Sequence, residues 1–204
     1  MNTQIDLKSE QKILDAAKTI FIQKGFDGAR MQDIADEAKL NKSLVHYYYR
    51  SKEELFAKIF DTFAAQLLPN IEGILHSEKS IFERIEIFIH GYIEFLLHNP
   101  QIPLFILTEV NKNPERLASI LKTTENFPKI QQFVLQIMME MQLGKLKKIN
   151  PIHLMLNVIS LCIFPFIARP MVQNVMSLKH KDFDIILQQR KEEVTHFVLS
   201  ALRP

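Results

Sequence analysis

Cysteine is almost missing from this chain: a single thiol, Cys162, stands in 204 residues. One thiol excludes an intramolecular disulfide framework and suits a reducing compartment, so a cytoplasmic location is expected. Glycine is scarce too, at five residues against nine prolines, which is few punctuators for a β-rich fold. The first residues, MNTQIDLKSEQK, are polar and read as no secretory signal. No long apolar run is present either. The most apolar stretch, 154–168, is interrupted by Asn157, Ser160 and Pro165 and is too short to span a bilayer comfortably, so no membrane is expected as a partner. A net charge of +2 does not by itself establish a nucleic-acid partner. Gly-rich phosphate loops, cysteine clusters and HExxH are all absent, and His153 belongs to no recognisable triad. We therefore expect no catalytic residue, no metal and no cofactor. Glu86, His90, Glu94 and His98, each four apart, would line one helical face; the apolar residues of that helix lie on its other side, so the stripe reads as a solvated face rather than a metal site.

What is present is helix-forming. Hydrophobic residues make up 47%, enough for a substantial core, and the abundant Leu, Ile, Lys, Glu and Gln suit an all-α chain. A first helix is expected over 9–24, capped by Ser9, with Ile13, Leu14, Ala17, Ile20 and Phe21 as its apolar stripe and Gly25 as its stop. A short second helix follows over 31–39, with Ile34, Ala35 and Ala38 facing inward. Asn41 caps a third over 42–49, anchored by Val45 and Tyr49. A fourth opens at Ser51-Lys52-Glu53-Glu54, which reads as a capping box, and runs until Pro69 disturbs it. Two short helices joined by a tight turn, the second offering polar side chains outward, describe a helix-turn-helix. Charge agrees: residues 38–51 contain no acid, whereas Lys39, Lys42 and Arg50 lie there among Tyr47, Tyr48 and Tyr49, with Lys52 following.

Residues 10–60 resemble the DNA-binding domain of TetR-type (tetracycline-repressor-like) regulators. The resemblance rests on Ile13-Leu14-Asp15-Ala16-Ala17, on Phe21 with Lys24-Gly25-Phe26, and on Asp33-Ile34-Ala35-Asp36-Glu37-Ala38. It rests above all on Asn41 to Tyr49 followed by Ser51-Lys52-Glu53-Glu54-Leu55-Phe56. Three positions depart from the family. Lys39 replaces the usual turn Gly, Arg30 the usual Thr or Ser cap of the second helix, and Leu44 a frequent Thr of the recognition helix. The resemblance implies a DNA-binding domain over 8–54, with its motif at about 30–49, and a ligand-binding and dimerisation domain over 55–204. It implies base-edge contacts from Lys42, Ser43, His46 and Tyr47, and phosphate contacts from Tyr48, Lys52 and Arg30. The implied function is sequence-specific transcription regulation, most simply a repressor released from a palindromic operator by an apolar small molecule.

The remaining helices are expected over 81–98, 104–110, 114–122, 127–143, from Asn150-Pro151 through a long segment kinked at Pro165 and Pro170, and over 182–202. From Leu154 to Ile167 the long segment is apolar nearly all round, so one face needs a partner beyond its own domain. The resemblance implies a homodimer through about 150–176 and 182–202. Phe63, Phe88, Tyr92, Phe95, Phe105, Met138 and Phe164, with Phe133 and Met141, are the candidates for an apolar ligand pocket.

Overall fold

The computed structural model describes residues 2–75, 77–112, 114–115 and 130–204. Among them the chain is helical and contains no strand. The elements are α1 (Asn2–Gly28), α2 (Met31–Ala38), α3 (Lys42–Tyr48), α4 (Lys52–Leu75), α5 (Ile81–His98), α6 (Ile102–Lys112), α7 (Ile130–Gln142), α8 (Pro151–Ile167), α9 (Arg169–Val175) and α10 (His180–Leu202). The backbone divides into two compact units, Met1–Gln66 with Leu104–Glu125, and Leu67–Pro103 with Asn126–Pro204. The helix expected over 114–122 and the start of the one expected over 127–143 lie outside the described residues.

In the first unit, α1 begins well before Ser9, so Ser9 lies inside the helix rather than capping it. Gly25 breaks the helix as expected. Its φ of 68° is open to glycine at little steric cost, and one further turn leads to Ala29. The core joins Ile13, Ala17 and Phe21 of α1 to Ile34, Ala35 and Ala38 of α2, Val45 of α3, and Leu55 and Phe56 of α4. Phe56 meets Phe21, Phe26 and Phe105 edge-on or tilted, at ring-centroid distances of 5.4, 5.1 and 5.5 Å.

Capping explains where the helices start. Arg30 precedes α2 but has no acceptor to offer, so only the reverse half of a box forms: the Asp33 carboxylate accepts from the Arg30 amide at 3.0 Å. Asn41 caps α3 by accepting from the Leu44 amide at 2.7 Å. Ser51 accepts from the Glu54 amide at 3.1 Å, while Glu54 reaches back one residue further, to the Arg50 amide at 3.0 Å. Ser80 and Glu83 form a complete box at the start of α5.

Two proline expectations change, at Pro69 and in the long C-terminal segment. The backbone of α4 stays helical through Pro69 to Leu75. A proline inside a helix removes one amide donor, but Ile71, Ile74 and Leu75 beyond it line an apolar cavity, which rewards the added turns. Pro103 sits in the first turn of α6, where its missing N–H costs nothing. The kink in the long C-terminal segment falls at Ala168, where α8 and α9 meet at 68°. Pro165 leaves the Leu161 carbonyl without its helical donor, and the Arg190 guanidinium of α10 supplies one at 2.8 Å.

The core of the second unit is built from Ile81, Ile85, Ile89, Ile93 and Leu96 of α5, Ile137 of α7, Leu154, Val158, Cys162 and Phe166 of α8, and Phe183, Leu187, Val194 and Val198 of α10. Burial holds the Cys162 thiol up at about 12, so it stays protonated at neutral pH. Asn150 caps α8, accepting from the Ile152 amide at 2.9 Å.

Lys39, the residue in the glycine position, has φ 56° and ψ 41°. A side chain there is strained by about 1 kcal/mol. Lys39→Gly is therefore expected to raise stability by up to ~1 kcal/mol, or to leave it unchanged if the added chain entropy cancels the relief. Urea unfolding of the two proteins, with equal slopes, reads the difference.

Candidate nucleic-acid interface and apolar cavity

The third helix has only two turns, and its two faces differ sharply. Val45 is fully buried, and Tyr49, just past the helix end, is buried with its hydroxyl donating to the Glu10 carboxylate at 3.0 Å. Burial, followed by that carboxylate, pushes the Tyr49 phenol well above its ordinary range, so it remains a neutral donor. Lys42, Ser43, His46 and Tyr47 all lie on the exposed side, and Tyr47 is 77% exposed. Tyr47 meets Tyr48 edge-on at 5.4 Å, and Tyr48 is half-buried against the core. Leu44 is half-buried as well. Arg30 is exposed at the start of α2. The spacing thus brings four of the seven expected DNA-facing residues onto one surface of α3.

Lys52 is placed differently from the other cations. Its ammonium donates to the Ala29 carbonyl at 3.1 Å, and to the Asp27 carbonyl at 3.5 Å. It also sits 4.4 Å over the Phe26 ring. The first residue of α4 is thereby tied to the segment between α1 and α2. Nearby, Lys24 pairs with Asp33 at 3.0 Å, and this bond more than any other influence lowers the carboxyl's pKa.

The expected pocket residues come together only in pairs: Phe88 and Tyr92 line one cavity of about 680 Å³ in the second unit, and Phe88 and Phe133 line another. Phe63 and Phe105 belong to the core of the first unit. Phe95 and Met141 pack against the core of the second. Met138 and Phe164 are 46% and 57% exposed. Tyr92 is half-buried and stacks on Phe88 at 5.4 Å. Phe88 and Phe133 do line a cavity in the second unit, of about 170 Å³, whose other walls are mainly aliphatic. Its walls come from Ile71, Ile74 and Leu75 of α4, Ile137 of α7, and Leu154 and Val158 of α8. Periodicity shows which helix faces are apolar but not where packing leaves a gap, so residue type alone does not locate the cavity.

Sequence reasoning missed Arg84. It lines the same cavity and is only 2% exposed. Its Nε donates to the Ile74 carbonyl at 2.8 Å, one Nη to the Leu75 carbonyl at 2.6 Å, and the other to the Gln136 side-chain oxygen at 2.5 Å. The guanidinium also lies 4.7 Å from the Phe133 ring centre. Its sequence signal was a charge one residue before Ile85 and four before Phe88, on the apolar side of α5. Among the described residues no cluster of three or more His, Cys, Asp or Glu is arranged to hold a metal. In the acid-histidine stripe, Glu94 instead pairs with Lys191 of α10 and with His98, and His90 approaches Glu192 at 3.7 Å. No single helix among the described residues is long and apolar enough to cross a membrane.

Comparison with known proteins agrees with this geometry. The family model for bacterial regulatory proteins of the tetR family matches residues 13–59. The biofilm operon icaADBC HTH-type negative transcriptional regulator IcaR of Staphylococcus epidermidis is 30% identical over 117 residues, 55% of this chain and 59% of the relative. The matched stretch therefore spans little more than half of that regulator's length. Among solved structures, an HlyIIR mutant aligns over 98% of this chain and 97% of its own at a TM-score of 0.69 and 21% identity. FadR from Bacillus subtilis in complex with stearoyl-CoA aligns over 94% and 98% at a TM-score of 0.65 and 14% identity; likeness at these identities concerns the fold. Over residues 13–59 the chain therefore carries a helix-turn-helix segment similar to that of bacterial regulatory proteins of the tetR family, on a fold that is helical throughout the described residues.

Proposed function

We propose that the protein is a sequence-specific transcription regulator of the cytoplasm, a repressor that binds a palindromic operator and is released by an apolar small molecule. The observation that carries this reading is the two-sided α3, whose core side is locked by Val45 and Tyr49 while Lys42, Ser43, His46 and Tyr47 stand free of any acidic neighbour in residues 38–51. Such a helix enters a major groove with base-reading groups outward. Lys42 donates to guanine acceptors, His46 and Ser43 serve either base edge, and Tyr47 touches a thymine methyl. Arg30 and Tyr48 serve phosphates. Lys52 reaches a phosphate only by loosening its hold on the Ala29 and Asp27 carbonyls.

A palindromic site asks for two copies. The second unit exposes Ile152, Leu156 and Phe164 on α8, and Ile185, Ile186 and Phe197 on α10. Exposed apolar residues on two neighbouring helices supply the self-complementary face that a two-fold dimer needs. Effector binding is supported by the apolar cavity, whose volume is of the order of the ~150 Å³ cavity that takes up benzene. It is supported also by the stearoyl-CoA complex of a protein with this fold. The regulator would respond to such a ligand only through different affinities of its two states for it.

Selection from random DNA, followed by footprinting over several salt concentrations, tests the reading; the expected result is a roughly palindromic protected site, and purely sequence-independent binding would sink it. Lys42→Ala is expected to weaken operator binding, lower the salt slope by about 1 and leave the melting temperature unchanged. Lys52→Ala is expected to lower both affinity and melting temperature, because it also removes the tie to the α1–α2 segment. A double variant, Phe164→Glu with Phe197→Glu, is expected to run as a monomer in light scattering and to lose most operator affinity. A dimer that persists in this variant would place the interface elsewhere.

A further inference from the structure

The cavity and the end of α4 share their walls. The side chains of Ile74 and Leu75 line the cavity, and their carbonyls are the two that hold Arg84. Arg84 itself belongs to that wall, and its guanidinium faces Phe133, another lining residue. The carbonyl end of a helix carries partial negative charge and usually meets a cation or a glycine cap. No basic residue stands in the last turn of α4. The cation comes instead from α5, ten residues further along the chain, and α7 adds Gln136 as its third acceptor. All three acceptors are uncharged, and burial lowers the pKa of the guanidinium. Pro69 weakens α4 a turn earlier by removing one amide donor. The last turns of α4 therefore have a gap in their own hydrogen bonding at Pro69, and at their end Arg84 joins the Ser77 amide, which donates to the Ile74 carbonyl at 3.3 Å, in satisfying the free carbonyls.

We propose that Arg84 is a positioning residue, a latch through which occupancy of the cavity is passed to α4. This rests on the reading of the cavity as the effector site. A molecule pressing on Phe133 or on the Arg84 stem displaces the guanidinium, because the protein interior is packed too densely for the ring and stem to move independently. Displacement takes the side-chain donor from Leu75 and leaves Ile74 only the Ser77 amide, which loosens the last turn of α4. The same helix begins at Lys52, directly after α3.

Hydrogen exchange of the full-length protein tests the latch, with toluene as the probe. Binding of toluene is followed separately by its own NMR signal. The expected result is that toluene speeds exchange of the amides in 71–75 at least ten-fold in the wild type. In Arg84→Gln those amides exchange fast from the start, and toluene adds nothing. Val158→Phe, which fills the cavity from α8, is expected to reproduce the fast exchange without any probe. A merely structural Arg84 would give fast exchange in the variant but no response to toluene in the wild type. Toluene bound with exchange in 71–75 unchanged, together with slow exchange in Val158→Phe, would overturn the latch and leave the cavity as a binding site. If toluene fails to bind and Val158→Phe exchanges slowly, both the latch and the cavity reading fall.

Discussion

A seven-residue helix in water does not hold together, since nucleation costs more than so few hydrogen bonds return. Helix α3 exists because Val45 and Tyr49 bury themselves against α1 and α2, and because Asn41 closes its first turn. Everything the first unit offers to a partner follows from that anchoring. Once Val45 and Tyr49 face inward, helical geometry places Lys42, Ser43, His46 and Tyr47 outward, with little freedom to do otherwise. The strained Lys39 belongs to the same constraint. The turn between α2 and α3 has to reverse within a few residues, and the amides of Lys39 and Leu40 end α2 by bonding to Asp36 and Ala35.

The second unit solves a different problem, that of backbone carbonyls left over at prolines and helix ends. Two arginines do this work. Arg84 satisfies Ile74 and Leu75 at the end of α4, and Arg190 satisfies Leu161 opposite the missing amide of Pro165. A guanidinium suits the task because its N–H groups fan out in one plane and it stays charged when buried. Lys52 makes a related tie in the first unit, spanning the Asp27 and Ala29 carbonyls. Cations that a charge count assigns to the surface thus serve as internal fasteners, so the net charge of +2 understates how much of the positive charge is committed to the fold.

The amphipathic periods were readable because they repeat. The stripe of α1, the Asn41 cap, the helix start at Asn150-Pro151 and the Gly25 break stand in the structure where the sequence places them. Helix limits near proline were less readable: one proline residue sits inside α4, another in the first turn of α6, and the outcome depended on what the following residues could bury. The apolar pocket was the least readable. A stripe of Phe and Met looks the same whether it fills a core, as Phe105 does, or stands in the open, as Phe164 does.

By itself the sequence determined an all-helical chain, the helix-turn-helix and the outward face of α3, since each depends on neighbours within a few residues. Tertiary structure alone decided where Lys52, Arg84 and Arg190 send their charges and where the cavity opens. Those outcomes depend on which carbonyls remain unsatisfied and which side chains fail to fill a space after distant helices meet. Neither quantity is a property of any local stretch of residues.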